Sequence, residues 1–312
     1  MALGRTRADL LLLLAAIIWG TGFIAQNRGN ELMAAASDGH ALPVLFTGVR
    51  YSLGAILVLA FMGVRSMRRP APPPADTNES RTLRRRFWLG GTAAGVAMFV
   101  ASVLQQQGLV TATVTNGGFI TSLYVIFVPF IAAMLGQRIG GQVWVATALA
   151  LIGLYLLSVV GVPQINSGDI WILGCALVWS VQVLVIGWAA PGSDPFALSV
   201  LQFAITGVLA LATAPLLEPV SFAAITNAIW PILYSAVFAV AIAFTLQVVA
   251  QREAPPSDAA IIMAMESVFA ALCGWLMLGE PLGPRQWAGG ALMLGAAALV
   301  QWQPRPRPAP TH

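Results

Sequence analysis

The chain has 312 residues, of which 58% are hydrophobic and only 9% charged, with a mean hydropathy of +0.80. A soluble domain carries about 25% charged residues, so this chain lacks the charge to cover a water-facing surface. The net charge of +4 rests on sixteen basic residues, all arginine, set beside apolar runs rather than gathered into a nucleic-acid-binding face.

Taken in order, apolar runs fall at 9–26, 42–63, 87–107, 112–135, 142–161, 168–190, 196–216, 226–249, 258–278 and 285–302. Each is long enough to cross ~30 Å of hydrocarbon as a helix, which is the form that satisfies its own backbone in lipid. Ahead of the first run stand Arg5 and Arg7, and Ala34-Ala35-Ala36 imitates a signal-peptide cleavage site. That site lies about ten residues past the end of the run, and the run has an internal partner, so a retained first span is expected. The segment 64–86 carries Pro70, Pro72, Pro73, Pro74 and Arg84-Arg85-Arg86 and reads as a flexible linker. The tail 304–312, with alternating proline and arginine at its start, reads as disordered. Cys175 and Cys273 sit inside apolar runs without metal-ligand spacing and read as packing residues.

Ten spans with a cytoplasmic N-terminus place thirteen arginines on the cytoplasmic side (5, 7, 65, 68, 69, 81, 84, 85, 86, 138, 252, 305 and 307). Arg28 and Arg285 fall outside, and Arg50 lies within a span. This is a strong positive-inside bias, and it predicts that both termini are cytoplasmic in an inner (plasma) membrane of bacterial type.

The chain also repeats. DLLLLLAAIIW (Asp9–Trp19) matches DIWILGCALVW (Asp169–Trp179), Pro43–Ala60 matches Pro195–Ala212, and GQRIGGQVW (Gly136–Trp144) matches GEPLGPRQW (Gly279–Trp287). Five spans per copy is an odd number, so the second copy enters the membrane inverted, as in many transporters. The expected fold class is therefore an all-α membrane protein of ten transmembrane helices forming two inverted five-helix repeats. Residues 1–161 are the first repeat and 162–303 the second.

The stretch QREAPPSDAAIIMAMESVFAALCGWLMLGEPLGPRQWAGG (Gln251–Gly290) contains Glu266-Ser267-Val268-Phe269 and Leu278-Gly279-Glu280 before a glycine-rich last helix. The first half has Gly118-Phe119-Ile120-Thr121-Ser122-Leu123-Tyr124, then Pro129, then Gly136-Gln137-Arg138. On these residues the chain resembles the drug/metabolite transporter superfamily in its EamA-type ten-helix branch, over nearly all of 9–302. It departs at Ser267, where proline is usual, which puts a kink there in question, and at Gln137, where glutamate is frequent. Arg50 fits an arginine common in the family's second span. The resemblance implies metabolite export, with amino acids, aromatic ones included, and related amines as common substrates.

Glu266 is the one acid deep in a span, about eight residues or ~12 Å into helix nine. It has three readings: binding a substrate ammonium, carrying a proton, or pairing structurally. Arg50, about eight residues into helix two, can pair with an acid such as Glu266, snorkel, or hold a substrate carboxylate. Stripes at helical spacing add Trp19, Phe23 and Gln26 on helix one and Asn116, Thr121 and Tyr124 on helix four. Helix six contributes Trp179 and Gln182, and helix eight Tyr234, Phe238 and Thr245. Aromatic faces suit an ammonium or an aromatic side chain and amides suit a carboxylate, while for any one of these residues helix packing is the stronger reading. The candidate substrate contacts are Trp19, Gln26, Arg50, Asn116, Tyr124, Trp179, Gln182, Tyr234, Phe238 and Glu266.

Membrane enzyme, channel and receptor or scaffold are the rival classes, and the short loops leave the last little surface for an outside ligand or soluble partner. The only histidines are His40 and His312, and the sequence has no GxSxG elbow, metal-ligand set or filter-like run. No cofactor is expected; the partners are a small-molecule substrate and the lipid bilayer, with the monomer as the working unit. With a single deep acid, facilitated export is favoured over proton coupling.

Overall fold

The computed structural model describes residues 4–68, 78–158, 166–278 and 282–302, and every regular element among them is helical. In chain order the spans are α1 (Arg5–Ala35), α2 (Pro43–Arg68), α3 (Asn78–Gly108), α4 (Val114–Thr121 and Tyr124–Met134) and α5 (Gly141–Ser158). The second five are α6 (Ser167–Ala189), α7 (Pro195–Leu217), α8 (Ile229–Ala250), α9 (Pro256–Met263 and Glu266–Leu278) and α10 (Pro284–Gln301). Nine of these have the length and apolarity to cross a membrane. The tenth, α10, opens on Pro284-Arg285-Gln286, and this polar first turn lowers its average while the rest of the helix is apolar. The expected boundary at 161/162, the tail 304–312, and Gly279 and Glu280 lie outside the described residues.

Large side chains on the outer faces, among them Leu10, Ile56, Leu59, Val145, Ile170 and Val208, are exposed in the isolated chain. In lipid this belt is solvated by hydrocarbon and costs nothing, whereas in water it would form an adhesive patch. The interior combines buried aromatic and aliphatic side chains such as Phe23, Tyr51 and Phe203 with small residues that let backbones approach. Where α5 crosses α10, a Cβ added to Gly153 would stand 2.6 Å from the Gly289 carbonyl oxygen, and one added to Gly289 would stand 2.6 Å from the Leu157 nitrogen.

Helix neighbours obey the inverted repeat. α3 lies along α6, and its counterpart α8 lies along α1; α4 meets α6 as α9 meets α1. α2 packs on its own repeat partner α7, and α5 on its partner α10. Every such pairing maps onto itself or onto another pairing when the halves are exchanged, as a twofold axis in the membrane plane requires.

Two local features correct the reading from sequence. The linker expected over 64–86 is helical at both ends, since α2 continues to Arg68 and α3 starts at Asn78. All the prolines of that segment lie between 70 and 74, so nothing interrupts either helix outside them. The kink placed in question at Ser267 is present without proline. α9 turns tightly after Met263, with Met265 N–H donating to Ile262 O and Ser267 N–H to Ala264 O. α4 does the same after Thr121, with Leu123 N–H to Ile120 O and Val125 N–H to Ser122 O. The two breaks stand at matching positions of the repeat, so Tyr124 and Glu266 each begin the second segment of a broken helix.

Candidate functional site

The broken helices, with α1, α2, α3, α6 and α8, line a central cavity. Seven of the ten expected residues line it: Trp19, Gln26, Arg50, Tyr124, Trp179, Gln182 and Glu266. Asn116, Tyr234 and Phe238 do not. The Asn116 amide turns to Asp169 at one end of the bundle. The Tyr234 hydroxyl is 2.5 Å from Thr21 Oγ1, and its ring packs on Phe238, which is 43% exposed on the outer face.

For Tyr234 and Phe238 the reason lies in α8. Ser235–Phe244 is wound as a π-helix, whose hydrogen bonds span five residues. Each turn then takes more than four residues, so Ala239 and Phe244, five apart, come nearer to one face than an α-helix would bring them, and both line the cavity. Spacing counted at 3.6 residues per turn selects Tyr234 and Phe238 instead. Phe244 is the centre of an aromatic cluster: Trp19 lies 4.8 Å from it, Trp179 stacks at 5.2 Å, and Tyr51 and Phe203 approach at 6.1 and 6.2 Å. Trp19 and Trp179 are repeat partners, and they grip one ring from two sides of the axis. The Trp19 indole N–H donates to the Ala239 carbonyl at 3.2 Å. Phe23, Tyr51, Gln105, Gln247 and Met263 complete much of the wall. Of these, Gln105 and Gln247 were legible as amides within apolar runs; Tyr51 and Met263 carry no such signal.

Glu266 is buried, beside Tyr124, and accepts from Ser122 Oγ at 3.3 Å. Ser267 Oγ lies 2.5 Å from Ser122 Oγ and 3.0 Å from the Gly118 carbonyl, and its one proton goes to either of these α4 acceptors, so the Ser267 hydroxyl joins the breaks of α4 and α9. The contact between Glu266 and Arg50 raised from sequence is not made. Among the described residues no carboxylate forms an ion pair with Arg50, and its buried Nε has no hydrogen-bond partner. The guanidinium instead lies 5.4 and 5.1 Å from the rings of Phe46 and Tyr51. Burying an unpaired cation costs several kcal/mol, and each ring returns about 0.5–2 kcal/mol. The balance leaves Arg50 in need of water or an anion.

The cavity is narrow. The centres of water-sized molecules have about 50 Å³ to occupy, room for a few waters at ~10–15 Å³ each. A solute of amino-acid size therefore enters only if the walls part.

Polar clasps tie the two halves together at each end. At the end shared by the start of α1 and the start of α9, Arg5 bridges Asp9 at 3.2 Å and Asp258. At the other end, where α4 and α6 begin, the Asn116 amide donates to Asp169 at 3.4 Å, and Asp169 also forms a reciprocal cap with Asn166. Asp9 and Asp169 are repeat partners, as are Asp258 and Asn116, so one device occurs twice, ionic at one end and amide-based at the other. A second pair of clasps follows the same rule. Gln106 and Asn30 join α3 to α1 through Gln106 Nε2 to Asn30 Oδ1 at 2.7 Å and Asn30 Nδ2 to Gln106 O at 3.1 Å. Gln247 and Gln251 join α8 to α6 through Gln182 Oε1 at 3.1 Å and Val183 O at 2.9 Å.

Comparison with known proteins agrees with this architecture. The model of the EamA-like transporter family matches twice, over residues 6–159 and 166–302. An uncharacterized transporter of Archaeoglobus fulgidus is 31% identical over 95% of this chain and 86% of its own length. Another, from Bacillus subtilis, is 26% identical over 95% of this chain and 94% of its own. A solved crystal structure superposes with a TM-score of 0.71 at 17% identity, covering 95% of this chain and 98% of the other, which speaks for the fold.

Proposed function

Because this chain belongs to the EamA-like transporter family, a family of multi-pass membrane transporters, we propose that it exports small metabolites, amino acids including aromatic ones or related amines, by alternating access. The observation that carries the reading is a narrow central cavity holding Arg50, Glu266 and an aromatic cluster, with repeat-related polar contacts joining the two halves at both ends. A cavity too narrow for solute, between halves tied by paired contacts, suits a cycle in which one clasp opens while the other holds. The Arg5–Asp258 contact joins α1 to α9 and must break for the cavity to open at the end carrying the chain termini. The Asn116–Asp169 contact joins α4 to α6 and must break for the opposite opening.

In this reading the rocking bodies are the halves 1–161 and 162–303, the membrane is a bacterial-type inner membrane with both termini cytoplasmic, and the monomer is the working unit. Trp19, Trp179 and Phe244 hold the apolar part of the solute, and Tyr124, Gln26 and Gln182 offer it hydrogen bonds. Export is facilitated, driven by the substrate gradient.

The test is flux through purified protein in liposomes, screened across amino acids and amines. Saturable uptake that is accelerated by the same solute on the far side is the expected result. Flux that rises linearly without saturation marks a channel, and no flux of any amino acid or amine removes the substrate class.

A further inference from the structure

The cavity wall carries one full positive charge that the protein leaves unanswered. Arg50 is 3% exposed, its Nε has no partner, and no carboxylate among the described residues pairs with it. The rest of its surroundings is arranged to hold it rather than to neutralise it. Phe46 and Tyr51 lie against the guanidinium, and the Tyr51 hydroxyl is already engaged with Ser102 Oγ at 2.8 Å. The repeat partner of Arg50 is Gln202, a neutral amide whose Oε1 accepts from Gln182 at 3.2 Å. The cation thus stands on one side of the axis only. Symmetric helix packing does not account for it.

We propose that Arg50 is the anchor for a carboxylate of the transported solute, which makes the anionic group the obligatory recognition element at this site. The proposal deepens the transport reading above and rests on it, since it selects amino acids over the amines left open there. A guanidinium offers a planar fork of N–H donors matched to the two oxygens of a carboxylate. Flanking rings hold that fork while its Nε–H stays without a hydrogen-bond partner. The aromatic cluster around Phe244 then takes the side chain of the bound solute. A solute lacking the carboxylate leaves the buried cation unpaired, the kind of mismatch that discriminates most strongly between otherwise identical ligands.

The experiment uses the full chain in detergent and in liposomes with three matched probes: tryptophan, tryptamine (no carboxylate) and indole-3-propionate (no ammonium). Binding is read by calorimetry and by thermal stabilisation, transport by counterflow. Tryptophan and indole-3-propionate are expected to bind, and tryptamine to bind at least tenfold more weakly. Arg50→Gln is expected to weaken both carboxylates by about a hundredfold and Arg50→Lys by about tenfold, with the small tryptamine signal unchanged. A variant that fails to fold does not spare the proposal, because the wild-type order of the three probes decides it alone. Tryptamine binding as tightly as tryptophan overturns the anchor while leaving transport intact. Arg50-dependent binding of indole-3-propionate without flux of any amino acid keeps the anchor and removes the amino-acid reading. Failure of both carboxylates to bind overturns the anchor.

Discussion

Replacing Arg5 by glutamine removes the cation shared by Asp9 and Asp258 and should bias the transporter toward opening at the end that carries its termini. Asp9 and Asp258 are nearly fully buried and Arg5 is about one-third exposed. The Arg5–Asp9 contact lies within α1 and survives opening, so only the contact from α1 to Asp258 on α9 counts toward the equilibrium. One hydrogen bond between charged groups contributes about 1.5–3 kcal/mol, and 1.4 kcal/mol is tenfold in a population. Partial hydration of Arg5 places the expected shift at the lower end, about tenfold. The reporter is a single cysteine, Met263→Cys, on the cavity wall, in a chain whose native thiols are removed by Cys175→Ala and Cys273→Ala. An impermeant thiol reagent is applied to right-side-out and inside-out vesicles. Labelling from the terminus-bearing side should rise about tenfold in Arg5→Gln and change little from the other. Asn116→Ala should favour the opposite side by a smaller factor, about two- to tenfold, because a neutral donor at 3.4 Å is the weaker contact. An equal rise from both sides in Arg5→Gln would mean general loosening and would refute the clasp. No rise at all would refute it too.

Three further outcomes follow from the geometry. Phe244→Ala should lower transport at least tenfold by opening the aromatic cluster, whereas Phe238→Ala, on the lipid face, should leave flux within about twofold; equal losses would contradict the π-helical register of α8. Gly289→Ala should destabilise the α5–α10 crossing by about 1–3 kcal/mol, visible as a lower melting midpoint in detergent, and Gly295→Ala, where an added Cβ meets nothing within 4 Å, should not. Glu218, just beyond α7, accepts from the Val44 and Leu45 amides at 2.7 and 2.9 Å, and burial raises its carboxyl above the ordinary 4.5 although these bonds pull it down. A carboxyl whose folded pKa lies above its unfolded one binds protons more tightly in the native state, so its contribution to stability is greatest at acid pH and falls as pH rises through the raised value. The melting midpoint of the wild type minus that of Glu218→Gln should therefore decrease from about pH 4 to about pH 7; an increase would reverse the assignment.

What lay open in the sequence is what depends on local hydropathy and on duplication. Ten apolar runs, arginines gathered at alternate ends, and three ordered matches such as Asp9–Trp19 with Asp169–Trp179 suffice for ten helices in two inverted halves, because an apolar run of ~20 residues satisfies its own backbone in lipid as a helix. Residues that owe their place to a straight helix and a fixed period were legible as well: Trp19 and Gln26 on α1, Trp179 and Gln182 on α6. The tertiary structure decided the rest. The wide winding of α8 turned Phe244 inward and Phe238 outward, a change of period that composition does not encode. The breaks in α4 and α9 form without proline at Ser267, held by a hydroxyl pair that meets only when the two halves pack. Above all, whether Arg50 has an acid opposite it depends on which helices face each other across the axis. Two charges on separate spans are chemically suited to pair, and only the packing of the whole bundle keeps Glu266 beside Tyr124 and leaves the guanidinium open to the cavity.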